Sequence, residues 1–397
     1  MPPPPPSPST GAPTVEETLE LSCGDDAARL PAAVLDEARS TTAWLRAAVE
    51  DELAVFVGEQ ELLLREVDPE TGPVLDAVRA LLSGGKRLRP SFCFWGHRGA
   101  GGDGGEEGRG ILRAAAALEL FQAAALLHDD VMDDSDTRRG QPAAHRRFAA
   151  QHRAATWSGS AERFGLAGAV LAGDLCLAWS DEVFARSPFP AERLWAGRRV
   201  FDTMRTQLMG GQYLDMLEQA SSASRGAAGA VERARRVVRF KSAKYSIEHP
   251  LLLGAALAGA DDALVASYST FGLALGEAFQ LRDDVLGVFG DPSVTGKPAG
   301  DDLREGKRTV LVALAVQAAD ARQAALVERL LGDPDLDGRG VDALREVLVA
   351  TGALERVEDL ITTQVEVACT ALEQADVDAT ARAALHELVV AATARRS

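Results

Sequence analysis

The chain has 397 residues, of which 46% are hydrophobic and 25% charged, enough to close a large apolar core. Asp and Glu outnumber Lys and Arg by 59 to 42, a net charge of −17. That balance argues against a nucleic-acid binder or a polybasic membrane-surface protein. An anionic substrate must then be met by local basic clusters or bound cations.

At the N-terminus, 7 of the 18 prolines fall within the first 13 residues. Residues 1–28 are therefore expected to be a disordered, Pro-rich tail, and 29–397 a single domain. No basic stretch precedes an apolar one, so no secretory signal is read here. No uninterrupted apolar run reaches the roughly 18–20 residues that span a bilayer, so no transmembrane segment is expected. The four cysteines (Cys23, Cys93, Cys176, Cys369) form no CxxC, which fits a reducing cytosol and a cytoplasmic protein. The histidines form no HExxH, so zinc is not expected. Gly290 to Lys297 has the wrong spacing for a phosphate loop.

Further along, the proline-free tracts 143–187, 191–249 and 335–397 are rich in Ala, Leu, Glu and Arg, with apolar residues at three- and four-residue steps. They predict an all-α protein of long helices. The segment Gly96–Gly110 holds eight glycines without an apolar face. No strand precedes it, so it reads as a helix connection and not a nucleotide loop. A second loop is expected at Gly332–Gly340; its Asp spacing does not suit calcium.

Two acidic clusters follow apolar helical runs. The first is His128-Asp129-Asp130-Val131-Met132-Asp133-Asp134; the second is Arg282-Asp283-Asp284-Val285-Leu286-Gly287. Asp129 and Asp133, spaced i, i+4, project from one helical face, where two like charges destabilise unless something neutralises them. Mg2+ takes oxygen ligands and shares its shell with substrate phosphates, so it is the natural neutraliser. Basic groups accompany both clusters: Arg138 and Arg139 after the first, Lys297, Arg304, Lys307 and Arg308 after the second, and Lys86, Arg87 and Arg89 before both. Arg and Lys beside carboxylate-held metal suit two diphosphates handled together.

GGKRLRP (84–90), HDDVMDDSDTRRG (128–140), FKSAK (240–244), FQLRDD (279–284) and GKPAGDDLREGKRT (296–309) occur in this order. From about residue 40 to the C-terminus the chain resembles the trans-isoprenyl diphosphate synthases, or polyprenyl synthetases. The resemblance implies an all-α, isoprenoid-synthase-type bundle of long helices around a deep central cavity, usually in a homodimer. It implies head-to-tail condensation of isopentenyl diphosphate onto an allylic diphosphate with Mg2+. It places the metal on Asp129, Asp130, Asp133, Asp283 and Asp284, and the allylic diphosphate on Arg138, Lys241, Lys297 and Lys307, with Gln280 nearby. Ser242 stands where the family often has Thr. Lys86, Arg89 and Arg139 match the isopentenyl diphosphate contacts.

The chain departs from the family twice. Gly287 replaces the third Asp of the second cluster, and Gln122 stands where many members have His; weaker binding is expected at both. Ala125 and Ala124, four and five residues before Asp129, leave the cavity floor open where bulky residues stop elongation, and Phe121 is the next candidate floor. This favours geranylgeranyl diphosphate over a fifteen-carbon product, with a longer-chain synthase as the main rival. A terpene cyclase is disfavoured because no NSE-type motif is found. A non-catalytic subunit of a two-component synthase is disfavoured because both Asp clusters are kept.

Overall fold

The structure is a computed structural model that describes residues 31–103, 106–290 and 300–393. The Pro-rich tail and Lys297 lie outside the described residues. Helices α1 (Ala32–Val67), α2 (Gly72–Leu82) and α3 (Leu88–Gly99) lead to α4 (Glu106–Met132). Helix α1 is amphipathic: Leu45, Val49, Leu53, Phe56 and Gln60 are buried at three- and four-residue steps, a single stripe facing the core. Helix α4 is different. Ile111, Ala114 to Leu118, Leu120, Phe121, Ala123, Ala124 and Leu127 are all buried, as in a helix enclosed on every side.

A two-residue hairpin, β1 (Thr137–Arg138) with β2 (Gln141–Pro142), follows the first acidic cluster. Arg139 and Gly140 at its tip both have positive φ, the signature of a type I′ turn. Then come α5 (Ala144–Ala154), α6 (Ala161–Ala185), α7 (Ala191–Arg225) and α8 (Ala230–Val237). Helix α8 widens into a π-helix, Val238–Glu248, an uncommon geometry that concentrates at functional sites. It contains the FKSAK segment. The chain continues through α9 (His249–Ala258) and α10 (Asp262–Phe289), which carries the second acidic cluster. It ends through α11 (Asp301–Arg304), α12 (Val310–Ala318), α13 (Ala321–Leu330), α14 (Gly338–Ala350), α15 (Ala353–Gln374) and α16 (Ala379–Thr393).

The largest interfaces join α4 to α6, α10 to α15, α9 to α3, and α10 to the π-helix. Helices α3 and α9 touch backbone to backbone. A Cβ at Gly254 would lie 1.9 Å from the Cys93 carbonyl oxygen, and one at Gly96 2.3 Å from that of Leu251. The expected connection over Gly96–Gly110 is shorter than read from the sequence: Gly96 and Gly99 belong to α3, and Gly108 and Gly110 to α4.

The membrane expectation needs one correction. Two helices are long and apolar enough to cross a bilayer by length and composition, Gly108–Met132 and Ala161–Ala185. Scattered charges interrupt each run without lowering its overall apolarity, so a search for unbroken runs passes over them. The first is 72% buried as the core helix; the second is only 39% buried. Phe164, Leu166, Val170 and Leu171 of α6 stand exposed, and so do Trp195, Met209, Tyr213 and Met216 of α7.

Candidate active site

One cavity of about 1030 Å³ brings together residues that lie more than 200 positions apart. Lys86 and Arg89 reach it from the start of α3, Gln122, Ala125 and Asp129 from α4, and Arg138 and Arg139 from the hairpin. Lys241 and Ser242 come from the π-helix, Gln280, Asp283 and Asp284 from α10, and Asp302 and Lys307 from the segment after it.

In the first cluster, Asp129 is ringed by donors. Lys241 Nζ lies 3.1 Å and Gln212 Nε2 2.9 Å from its Oδ1, and Arg138 Nη2 3.8 Å from its Oδ2. Burial works against its charge, but Lys241, Lys307 and Arg138 outweigh that and hold its carboxyl below the usual range. Asp130 points the other way. It is buried and accepts from Arg138 Nε at 2.9 Å. Asp133 is covered by Lys307, whose Nζ is 3.9 Å from its Oδ2. Burial and the neighbouring charge of Asp129 push Asp133 up to about 6.

Two ammonium groups connect these carboxylates to the rest of the site. Lys241 Nζ also lies 2.6 Å from Asp215 Oδ2 on α7. Lys307 Nζ lies 2.6 Å from Glu305 Oε2 and 3.2 Å from Asp302 Oδ1. Burial disfavours both ammonium charges, yet the surrounding carboxylates keep both firmly protonated. In the second cluster, Gln280 Nε2 donates to Asp284 Oδ1 at 2.8 Å. Asp284 is nevertheless pushed up to about 8, mainly by burial.

The basic wall opposite is also held in place. The Arg89 guanidinium sits 4.2 Å above the Tyr245 ring and donates to Ser246 Oγ at 2.8 Å. Arg139 Nη1 donates to the carbonyls of Ser83 and Leu81 at 2.9 and 3.2 Å. Arg87 is buried against Glu119 and the Leu82 carbonyl, which fixes the turn that presents Lys86 and Arg89. The Tyr245 hydroxyl donates to Gln122 Oε1.

Of the three residues expected to set product length, only Ala125 lines the cavity. Ala124 and Phe121 are fully buried behind the wall. Phe121 packs edge-on to Tyr245, with ring centroids 5.7 Å apart, and to Phe201 at 6.2 Å. Sequence reasoning missed Gln212, Asp215 and Tyr245. Gln212 and Asp215 are spaced i, i+3 on one face of α7, but nothing local says that this face meets Asp129.

The polyprenyl synthetase family model matches residues 73–348. A geranylfarnesyl diphosphate synthase of Aeropyrum pernix is 33% identical over 295 residues, spanning 73% of this chain and 83% of that one. A geranylgeranyl diphosphate synthase of Methanosarcina mazei is 30% identical over 319 residues, 80% of this chain and 89% of that one. Among solved structures, a geranylgeranyl pyrophosphate synthase from Corynebacterium glutamicum, complexed with isoprenyl diphosphate and magnesium, superposes with a TM-score of 0.83. It is 40% identical and covers 89% of this chain and 99% of its own. The chain belongs to the polyprenyl synthetase family, whose chemistry is head-to-tail prenyl transfer, and is a trans-prenyltransferase.

Proposed function

We propose that this protein condenses isopentenyl diphosphate with allylic diphosphates in the presence of Mg2+ and releases geranylgeranyl diphosphate. One observation carries the reading. Carboxylates from two separate helices, Asp129 and Asp283, face a single cavity together with Lys241 and Lys307, opposite a basic wall of Lys86, Arg89 and Arg139.

The donor set fits a hard divalent cation. It is built of oxygen, and burial together with the like charge of Asp129 lifts Asp133. Among the described residues no three donors converge to cage an ion unaided. That openness suits Mg2+, which is commonly held by one or two carboxylates, with waters and substrate phosphates completing its shell. Asp129, Asp133 and Asp283 would hold it; Asp284 backs Asp283, and Asp130 anchors Arg138. When bound, Mg2+ supplies neutralisation of the charge on the departing diphosphate.

The protein's own groups do the rest. Lys241, Arg138 and Lys307 orient the allylic diphosphate and meet the charge that grows on it as the C–O bond ionises. Ser242 and Gln280 offer hydrogen bonds beside it. Lys86, Arg89 and Arg139 hold isopentenyl diphosphate so that its alkene faces the allylic cation. Gln122, engaged by Tyr245, offers this pocket a polar but uncharged group. The Tyr245 phenol is pushed well up by burial, so it does not serve as a base at neutral pH. The proton lost after C–C bond formation goes to the departed diphosphate. Ala125, Leu126, Leu208 and Phe279 line the apolar part of the cavity and keep water from the cation.

The product assignment rests on the open wall at Ala125 and the closed layer of Phe121 and Tyr245 behind it. The test is incubation of the purified protein with Mg2+, isopentenyl diphosphate and, separately, dimethylallyl, geranyl and farnesyl diphosphates, followed by identification of the released prenyl alcohols. A twenty-carbon product from each starter is expected. Longer chains would move the floor beyond Phe121, and no product at all would overturn the reading.

A second copy of the chain is the proposed partner for the exposed apolar face of α6 and α7. The two helices are linked through Asp181, whose Oδ1 is 2.8 Å from both Arg198 and Arg205. Both helices turn large apolar side chains outward, and exposed apolar area of this kind marks interaction sites. Sedimentation equilibrium is expected to show a dimer that Leu171→Glu splits.

A further inference from the structure

The cations already described around the cavity have partners. Lys241 and Lys307 face carboxylates, Arg138 faces Asp130, and Arg87, Arg89 and Arg139 each donate hydrogen bonds. Arg308 lines the same cavity. Among the described residues it has neither a hydrogen bond nor an ion pair, and its Nε is buried without an acceptor. In a chain of net charge −17, a guanidinium left open in this way is out of keeping with its surroundings.

The fold does not account for this charge. Two carboxylates act on Arg308 from a distance, Glu328 of α13 and Glu218 of α7. Glu328 is exposed. Glu218 is taken, with Arg225 Nη1 at 2.6 Å and Arg233 Nε at 2.9 Å. Burial is the stronger influence and pulls the guanidinium below its usual range. The local structure does not favour a cation either. Thr309 is the N-cap of α12, so Arg308 stands just outside the positive end of that helix. Val310 to Ala315 are all buried, which anchors the backbone that carries it. A half-buried charge kept against burial and against a helix field, with an open cavity beside it, suits an anion that the cavity receives.

The neighbours of Arg308 identify the anion. It follows Lys307 directly, and α12 packs on α8, whose Ala234 and Val237 line the cavity two turns and one turn before Lys241. Lys241 and Lys307 are the residues read above as allylic diphosphate contacts, and both are occupied: Lys241 by Asp129 and Asp215, Lys307 by Glu305 and Asp302. Asp302 itself fills the space at Gly287, where a Cβ would fall 1.9 Å from its Oδ2. These pairs must loosen before either lysine can serve a phosphate. Arg308 needs no such exchange, and its planar fork matches phosphate oxygens. We propose that Arg308 is a further diphosphate contact of this cavity: its open guanidinium takes the terminal phosphate of the allylic diphosphate and holds the inorganic diphosphate that remains after condensation. This rests on the prenyl-transfer reading and adds to it a contact that the reading does not assign.

The test compares the full-length wild type with Arg308→Met, Arg308→Lys and Arg236→Met, the last an exposed arginine of α8 that reports the loss of one positive charge alone. Calorimetric titration with inorganic diphosphate in the presence of Mg2+ is read beside steady-state KM values for geranyl and isopentenyl diphosphates and beside thermal melts. Arg308→Met is expected to weaken inorganic diphosphate binding and to raise the KM for geranyl diphosphate by about tenfold each, the worth of one hydrogen bond to a charged group, with the KM for isopentenyl diphosphate within about twofold of wild type. Arg308→Lys is expected to recover part of the loss, and Arg236→Met to show none. The melting temperature of Arg308→Met is expected not to fall, since no partner is lost. Unchanged diphosphate binding in Arg308→Met, or an equal loss in Arg236→Met, would overturn this inference while leaving prenyl transfer intact. So would a variant that melts early yet binds diphosphate as wild type does, because Arg308 would then serve the fold. A wild type that binds no diphosphate and forms no prenyl product would overturn the underlying reading and this inference with it.

Discussion

The first acidic cluster closes helix α4, and the second lies in the last two turns of α10. Both positions are poor ones for anions, because the carbonyl end of a helix carries a partial negative charge. The protein answers the problem differently in each place. Around Asp129 it gathers Lys241, Arg138 and Gln212, so the carboxylate is charged and compensated before anything binds. Around Asp284 it offers an amide, Gln280, and burial pushes the carboxyl up to about 8. Lys307 stands between the two and is paired with groups from both sides, Asp133 and Asp302. Asp129, which opens one Asp-Asp pair, and Asp284, which closes the other, thus meet opposite electrostatic settings, and Asp129 is the better prepared to exchange a lysine for a metal.

The most disruptive way to break this arrangement is to remove the charge that joins its halves. Lys307→Met leaves Asp133, Asp302 and Glu305 facing one another, a buried pair broken from one side, at a cost of about 3–5 kcal/mol in urea unfolding. A ligand that binds only the folded state adds stability, so Mg2+ is expected to raise the midpoint of this variant more than that of wild type. Lys241→Met is expected to cost less, because Arg138 and Gln212 remain at Asp129. Equal losses, or no response to Mg2+, would show that Lys307 does not bridge the clusters.

Next in size is the asymmetry in catalysis. Asp129→Asn removes a charged carboxylate from the cavity and is expected to lower kcat/KM by about 10²- to 10³-fold. Asp284→Asn replaces a group that burial already keeps largely protonated near neutral pH, so a loss below about tenfold is expected, roughly the worth of one pKa unit. Steady-state rates at saturating Mg2+ measure both. Equal losses would erase the distinction drawn between the clusters.

The wall of the cavity sharpens the comparison in another way. Four residues before the leading Asp, α4 has Ala125 and α10 has Phe279, and both line the cavity. Only the α4 side therefore leaves room for a growing chain. Ala125→Phe is expected to shorten the product by one isoprene unit. Phe121→Ala is expected to lengthen it, and to destabilise the fold by about 3–5 kcal/mol because a fully buried ring is lost. Ala124 faces the packed interior, so Ala124→Phe is expected to impair folding rather than trim the product. Chain lengths from chromatography of the dephosphorylated products, read beside thermal melts, separate these outcomes.

What was legible in the sequence was whatever follows from a helical period or an ordered motif. The i, i+4 spacing of Asp129 and Asp133 placed two carboxylates on one face, and the Ala- and Leu-rich tracts announced long helices. The same arithmetic could not separate Asp130, which turns to Arg138, from its neighbours. It could not say which of Asp301 and Asp302 fills the space at Gly287, because that depends on how a short helix folds back onto α10. It marked Phe121 as a floor but not that Tyr245, from a helix more than 100 residues later, stands in front of it. It passed over the hairpin tip at Arg139 and Gly140, where a turn too short for any periodicity sets the direction of two arginines.

Gln212 gives the finest test of the same contrast. It is 83 residues from Asp129 in sequence, and its amide donates to the carboxylate oxygen that Lys241 also contacts. A neutral donor there holds Asp129 in place without competing for its charge, so a cation that displaces Lys241 still finds the oxygen aimed at the cavity. Gln212→Leu keeps the bulk and removes the donor, at a cost of about 1 kcal/mol for one hydrogen bond, roughly a fivefold rise in the Mg2+ concentration at half-maximal rate. Gln212→Glu puts a like charge beside Asp129 and is expected to strengthen its hold on Lys241's neighbourhood while slowing turnover. If Gln212→Leu leaves the Mg2+ dependence unchanged, Lys241 and Arg138 alone fix the carboxylate, and the first cluster owes its readiness to charge and not to aim.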